Sequence, residues 1–199
     1  LEVVTGEPVR ASVIWLHGLG ANGYDFLPII EELRGAHLPA TRFVFPHAPD
    51  QPVTLNNGYV MPSWYDIIGL YRDAPEDEAG LRESMRYVES LVAREIERGI
   101  APRHIVLAGF SQGGNVALNC ALRYPEPLAG ALILSSYLGL HDQLAAQASA
   151  ANRTLPIFMA LGWSLRRLGV LRFVWHEALF EGALYVCVCA VVILVMGAS

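Results

Sequence analysis

Gly109-Phe110-Ser111-Gln112-Gly113 lies between an apolar run at residues 104–108 and a helical pattern at residues 112–123. A serine flanked by glycines at a strand-to-helix junction is the pattern of a sharp turn that lifts the hydroxyl above the sheet edge. Glycines at both flanks keep side chains out of the way where strand and helix meet. The helix N-terminus after the turn leaves backbone N–H groups unpaired, and that of Gln112 is placed to bind an oxyanion. Ser111 is therefore the candidate nucleophile.

Outward from this turn, the chain alternates apolar runs with helical patterns. Residues 12–16 read as a buried strand that stops at His17-Gly18-Leu19-Gly20, and residues 24–34 as a helix. Residues 42–45 form a second strand, after which the Pro-, Asn- and Gly-rich stretch to residue 63 reads as a long loop. From 76 to 98, Leu81, Met85, Val88, Leu91, Val92 and Ile96 recur at three- and four-residue spacing and predict one amphipathic helix. Gly99 and Pro102 end it. Two further apolar runs occupy residues 131–134 and 155–160, and a late strand is expected at 170–176. Strands without polar alternation, interleaved with helices, imply a mostly parallel sheet covered on both faces. Leu19, in the loop after the first of these strands, is the candidate second oxyanion donor.

Composition narrows the function classes. The 199 residues suit one domain, and 53% hydrophobic against 17% charged residues excludes a disordered chain. The net charge is −5, and every basic residue is an Arg, with no basic run. That leaves no electrostatic footprint for nucleic acid. Cys120, Cys187 and Cys189 lack zinc-type spacing, which fits a reducing compartment. With no signal-like N-terminus, a cytoplasmic location is expected.

Three stretches, Trp15-Leu16-His17-Gly18-Leu19-Gly20, Pro62-Ser63-Trp64-Tyr65-Asp66 and Ala108-Gly109-Phe110-Ser111-Gln112-Gly113-Gly114, occur in one order and spacing. Together they resemble the bacterial carboxylesterases of the phospholipase/carboxylesterase family, related to the acyl-protein thioesterases, over about residues 13–160. The resemblance implies a three-layer α/β-hydrolase fold without a large lid, often homodimeric; the length and the lack of a linker put it in a single domain over 1–199, of which 161–199 departs from the family pattern. It implies hydrolysis of short-chain carboxylic esters, with thioesters and lysophospholipids as further substrates. Ser111 matches the nucleophile, Leu19 and Gln112 match the oxyanion donors, and Trp64 borders the acyl pocket as a substrate-binding residue. His17 becomes a structural loop residue. This chemistry needs no metal or organic cofactor, and the expected partner is a small ester.

The pattern fails after residue 160. A serine needs a histidine to take its proton and a carboxylate to hold that imidazole. The family's acid position holds Leu165, and Gly182 falls where the base belongs. After Ser111 the acidic residues are Glu126, Asp142, Glu177 and Glu181, and the histidines are His141 and His176. His176 is the better substitute base, and His141 beside Asp142 the lesser one. Three readings of residues 161–199 stand: a frameshift or splice to unrelated sequence, a diverged relative that binds esters without turnover, and a membrane contact. The apolar run at 183–196 is shorter than the roughly 18–20 residues that span a bilayer, and its valines equally suit a buried strand.

Overall fold

The computed structural model describes residues 1–33, 38–69, 71 and 74–160. The late strand expected at 170–176, His176, the apolar run at 183–196, Cys187 and Cys189 lie outside the described residues.

The chain begins with β1 (Glu2–Val4) and β2 (Ala11–Leu16), and α1 (Pro28–Leu33) leads to β3 (Thr41–Val44). The helix expected from residue 24 starts only at Pro28. Residues 22–27 turn instead, because Asn22 accepts from the Tyr24 N–H and Asp25 accepts from the Asn22 N–H. Pro28 then suits a first helical position, where an N–H would be unpaired anyway. The stretch expected as loop contains β4 (Asp50–Val53) and β5 (Tyr59–Pro62), paired as an antiparallel ribbon outside the main sheet. Asn57 and Gly58, both at positive φ, turn the chain between them.

Helix α2 (Glu78–Glu97) buries Leu81, Met85, Val88, Leu91 and Val92 on one stripe, and Asp77 caps it by accepting from the Gly80 N–H. The other Asp77 oxygen accepts from the Asp66 N–H, and the Asp66 carboxylate takes the Thr54 N–H and hydroxyl. This relay ties the ribbon to α2. Next come β6 (Ile105–Phe110), α3 (Gln112–Arg123), β7 (Gly130–Leu134), α4 (His141–Gln147) and β8 (Ile157–Ala160).

Six strands form one sheet in the order β1-β3-β2-β6-β7-β8, parallel except for β1. Successive side chains on a strand point to opposite faces. Ile14, Leu16, Ile105, Leu107, Ala131 and Ile133 therefore pack with α2 and α3, while Val13, Trp15, Val106, Ala108, Leu132 and Leu134 pack with α1. At the end of the strand order among the described residues, β8 leaves Ile157 and Met159 each 43% exposed. The topology matters for chemistry because Leu16 pairs with Gly109. The loops that leave β2 and β6 thus emerge side by side at the carboxyl edge of the sheet.

Candidate active site

Ser111 stands where β6 ends and α3 begins, with φ 52 and ψ −118. A positive φ is uncommon for a residue with a side chain and costs about 1–3 kcal/mol unless its surroundings hold it. Three contacts hold it here. The Ser111 N–H donates to Leu134 O at 2.9 Å, and its carbonyl accepts from the Asn115 N–H at 3.2 Å and from the Ser136 hydroxyl at 2.6 Å. The Ser111 side chain makes no cap bond to the helix.

The glycines let two backbones meet. A Cβ on Gly113 would press into the His17 carbonyl oxygen and lie 2.6 Å from Leu16 O, and one on Gly18 would lie 3.5 Å from the Ser111 Cβ. Residues 17–20 therefore lie directly against the turn. Neither the Leu19 N–H nor the Gln112 N–H is given to an acceptor among the described residues. Gln112 directly follows the expected nucleophile in the chain, and the loop that carries Leu19 lies against it through Gly18.

His17 is built into the scaffold. Its Nδ1 lies 2.8 Å from Gly18 O, and its Nε2 accepts from the Ala48 N–H at 3.0 Å. A carbonyl oxygen can only accept, so the proton sits on Nδ1 and the ring is neutral. Burial, the largest influence, pushes its pKa below the usual imidazole value, although the Gly18 carbonyl pulls the other way. The unfolded chain then binds the proton that the folded chain refuses. The stability His17 contributes is fully present above the unfolded value of about 6.5 and is lost as pH falls toward its lower folded pKa. The thermal midpoint should fall as pH drops below about 6.5, with His17 ring signals in NMR still those of the neutral Nδ1–H tautomer. A folded-state His17 that titrates at or above the ordinary imidazole value would contradict this.

None of the other described histidines makes a hydrogen bond to Ser111 among the described residues. His104 precedes β6 at the far end of that strand. Nδ1 of His47 accepts from the Gly23 N–H, and His141, beside Asp142, is 76% exposed. His141 stands on the wall of a cavity of about 360 Å³ with Tyr65, Ile67, Tyr137, Leu138 and Asn115. Within it the Tyr65 and Tyr137 hydroxyls are 3.0 Å apart and Asn115 donates to Tyr65. Burial pushes the Tyr65 phenol up, so it stays protonated.

Trp64, expected to border the acyl pocket, is only 2% exposed. Its indole lies 5.1 Å from the His17 ring, and its other side lines a separate cavity with Gln51, Ser84 and Tyr87. The Gln112 side chain has a role that the motif does not announce. Buried to 1%, it accepts from the Trp64 N–H and donates to Ser63 Oγ and Tyr65 O. In the sequence a glutamine beside the serine reads equally as a helix-surface residue, so no local signal could have found this.

Among the described residues no group of three His, Cys, Asp or Glu is placed to hold a metal ion. No helix among them is long and apolar enough to cross a membrane.

A parallel sheet bearing a strained serine between a strand and a buried helix, with a glycine loop against it, defines an α/β-hydrolase. The chain belongs to the phospholipase/carboxylesterase family, which residues 2–163 match. It is 42% identical over 154 residues to acyl-protein thioesterase 1 of Yarrowia lipolytica, covering 76% of this chain and 68% of that one. To acyl-protein thioesterase 1 of Cryptococcus neoformans it is 36% identical over 165 residues, 81% of this chain and 69% of that one. The crystal structure of Arabidopsis thaliana SOBER1 matches with TM-score 0.72 and 34% identity, over 76% of this chain and 73% of that one. These relatives come from fungi and a plant, where the motifs alone resembled bacterial enzymes. Residues 151–191 match a second family, described as a protein of unknown function (DUF1656). That match begins just before the hydrolase pattern breaks.

Proposed function

We propose that this protein is a serine carboxylesterase that hydrolyses short-chain carboxylic esters or thioesters through an acyl-enzyme on Ser111. The observation that supports this most is the strained Ser111 between two unclaimed backbone donors. In this reading Ser111 Oγ attacks the carbonyl carbon, and the Leu19 and Gln112 N–H groups take the oxyanion. The base takes the Ser111 hydroxyl proton during attack and returns it to the departing alcohol or thiol as the tetrahedral species collapses, and water later frees the acyl group as the acid. The names of the fungal relatives make an acylated protein cysteine one substrate to test. His176 is the candidate base, outside the described residues.

A second reading has its own support: Leu165 and Gly182 stand where the acid and base belong. A site with donors but no base retains about 10³–10⁴-fold acceleration over water, far below a full triad. Such a chain binds esters and turns them over slowly.

A fluorophosphonate followed by intact mass separates the two. Rapid addition of one adduct, absent in Ser111→Ala, supports the esterase, and His176→Ala should then slow it. A chain of the expected mass that binds ester but takes no adduct supports the second reading.

A further inference from the structure

We propose that Trp64 is a positioning residue that sets the separation of the two oxyanion donors, and that it is not a wall of the acyl pocket. Its catalytic consequence rests on the esterase reading above; its geometric part stands without it.

Both donors hang on short loops that leave adjacent strands, and the Leu16–Gly109 pairing fixes only where those loops begin. Residues 62–65, a strap at the end of the β4–β5 ribbon, bridge the two loops beyond that point. On one side Pro62 O accepts from the Gly20 N–H at 2.8 Å, and the Trp64 indole N–H donates to His17 O at 2.8 Å. Leu19 is thus enclosed between two tethered residues. On the other side the Trp64 backbone N–H donates to Gln112 Oε1 at 3.0 Å, while Gln112 Nε2 donates to Ser63 Oγ at 2.8 Å and Tyr65 O at 2.6 Å. One residue therefore touches both halves of the oxyanion site, through two different N–H groups.

Trp64 itself is fixed from behind. Ser84 of α2 donates its hydroxyl to Trp64 O, and the indole stacks on Tyr87 at 6.3 Å. The ring meets the His17 imidazole at 5.1 Å and Tyr87 of α2 at 6.3 Å, and only 2% of the residue is exposed. The strap acts as a spacer bolted to α2, with the loop on one side and the helix N-terminus on the other.

Oxyanion donors act only when aimed at the developing charge. Losing one costs about 10²–10³ in rate, and a misplacement of about 1 Å costs on the order of 10². Trp64→Phe keeps a ring of similar shape and the backbone N–H but deletes the indole donor. It should lower the limiting rate of fluorophosphonate addition to Ser111 about 10–100-fold while changing the half-saturating probe concentration less than about twofold. Arg86→Ala, at an exposed position of α2, touches neither bond and should leave both quantities near their original values. In NMR, Trp64→Phe should move the Leu19 and Gly20 amide resonances and leave that of Val92, in α2, in place.

A raised half-saturating concentration with an unchanged limiting rate and an unmoved Leu19 amide would restore Trp64 to the acyl wall and overturn the proposal. If the parent protein takes no probe, the esterase reading fails, and the amide shifts alone decide: Leu19 moving supports the spacer, Leu19 unmoved overturns it.

Discussion

Gly113→Ala should destabilise the fold sharply. In an ordinary exposed helix this exchange stabilises by up to about 1 kcal/mol, because alanine loses less backbone entropy on folding. Here the new methyl would press on the His17 carbonyl oxygen and sit 2.6 Å from Leu16 O and 2.7 Å from Leu16 C. These atoms are backbone at the end of a central strand, where Leu16 pairs with Gly109 of β6 and the His17 carbonyl already accepts from the Trp64 indole, so nothing can rotate away. Overpacking of a core costs about 1–3 kcal/mol, more where the surroundings are rigid. We expect a loss of at least about 3 kcal/mol from a total of the usual 5–15 kcal/mol. The urea midpoint reads this directly, and a rise in midpoint would show that β2 and α3 are not in backbone contact.

Gln112→Leu should cost about 2–4 kcal/mol, on the scale of about 1–3 kcal/mol for each buried polar group left without a partner. Leucine fills much of the volume, so the loss is not a cavity effect. The Trp64 N–H loses its acceptor at 3.0 Å, and Ser63 Oγ and Tyr65 O each lose a donor. Ser63 and Tyr65 keep their mutual bond at 2.6 Å, which limits the damage on that side. The Gln112 backbone N–H, the candidate oxyanion donor, survives the substitution. Equilibrium unfolding gives the size of the effect. A change below about 0.5 kcal/mol, the range of ordinary surface substitutions, would mean that water replaces the glutamine without penalty.

Much of the fold was legible because the physics that forms it writes itself into short stretches. Buried parallel strands must be apolar throughout, so β2, β6 and β7 stand out in the sequence, and the long helix α2 shows its stripe. The turn at Ser111 was legible for the same reason: only glycines permit that approach of backbones. The β4–β5 ribbon was not. Its residues carry no alternation because Tyr59 and Val60, on opposite faces, are both mostly exposed, and its pairing is backbone chemistry that side chains do not announce. The candidate site divides likewise. Ser111 and the backbone donors of Leu19 and Gln112 are suggested by the motif, whereas the work of the Gln112 amide and of Trp64 depends on residues 47 to 49 positions away. An indole reads the same in a sequence whether it faces a ligand or a histidine.

Those sequence separations bear on how the protein acquires its chemistry. The segments that carry the candidate oxyanion donors are held by bonds joining the loop after β2 to the strap 47 residues later, and the strap to the helix 48 residues later still. No short fragment contains all three. Closing such long loops loses chain entropy before any contact compensates for it, which slows folding. It also means the donor geometry cannot exist in a partly folded chain. The site is a late product of assembly, complete only when three distant segments have met, and a nascent chain carries no primed site on its way there.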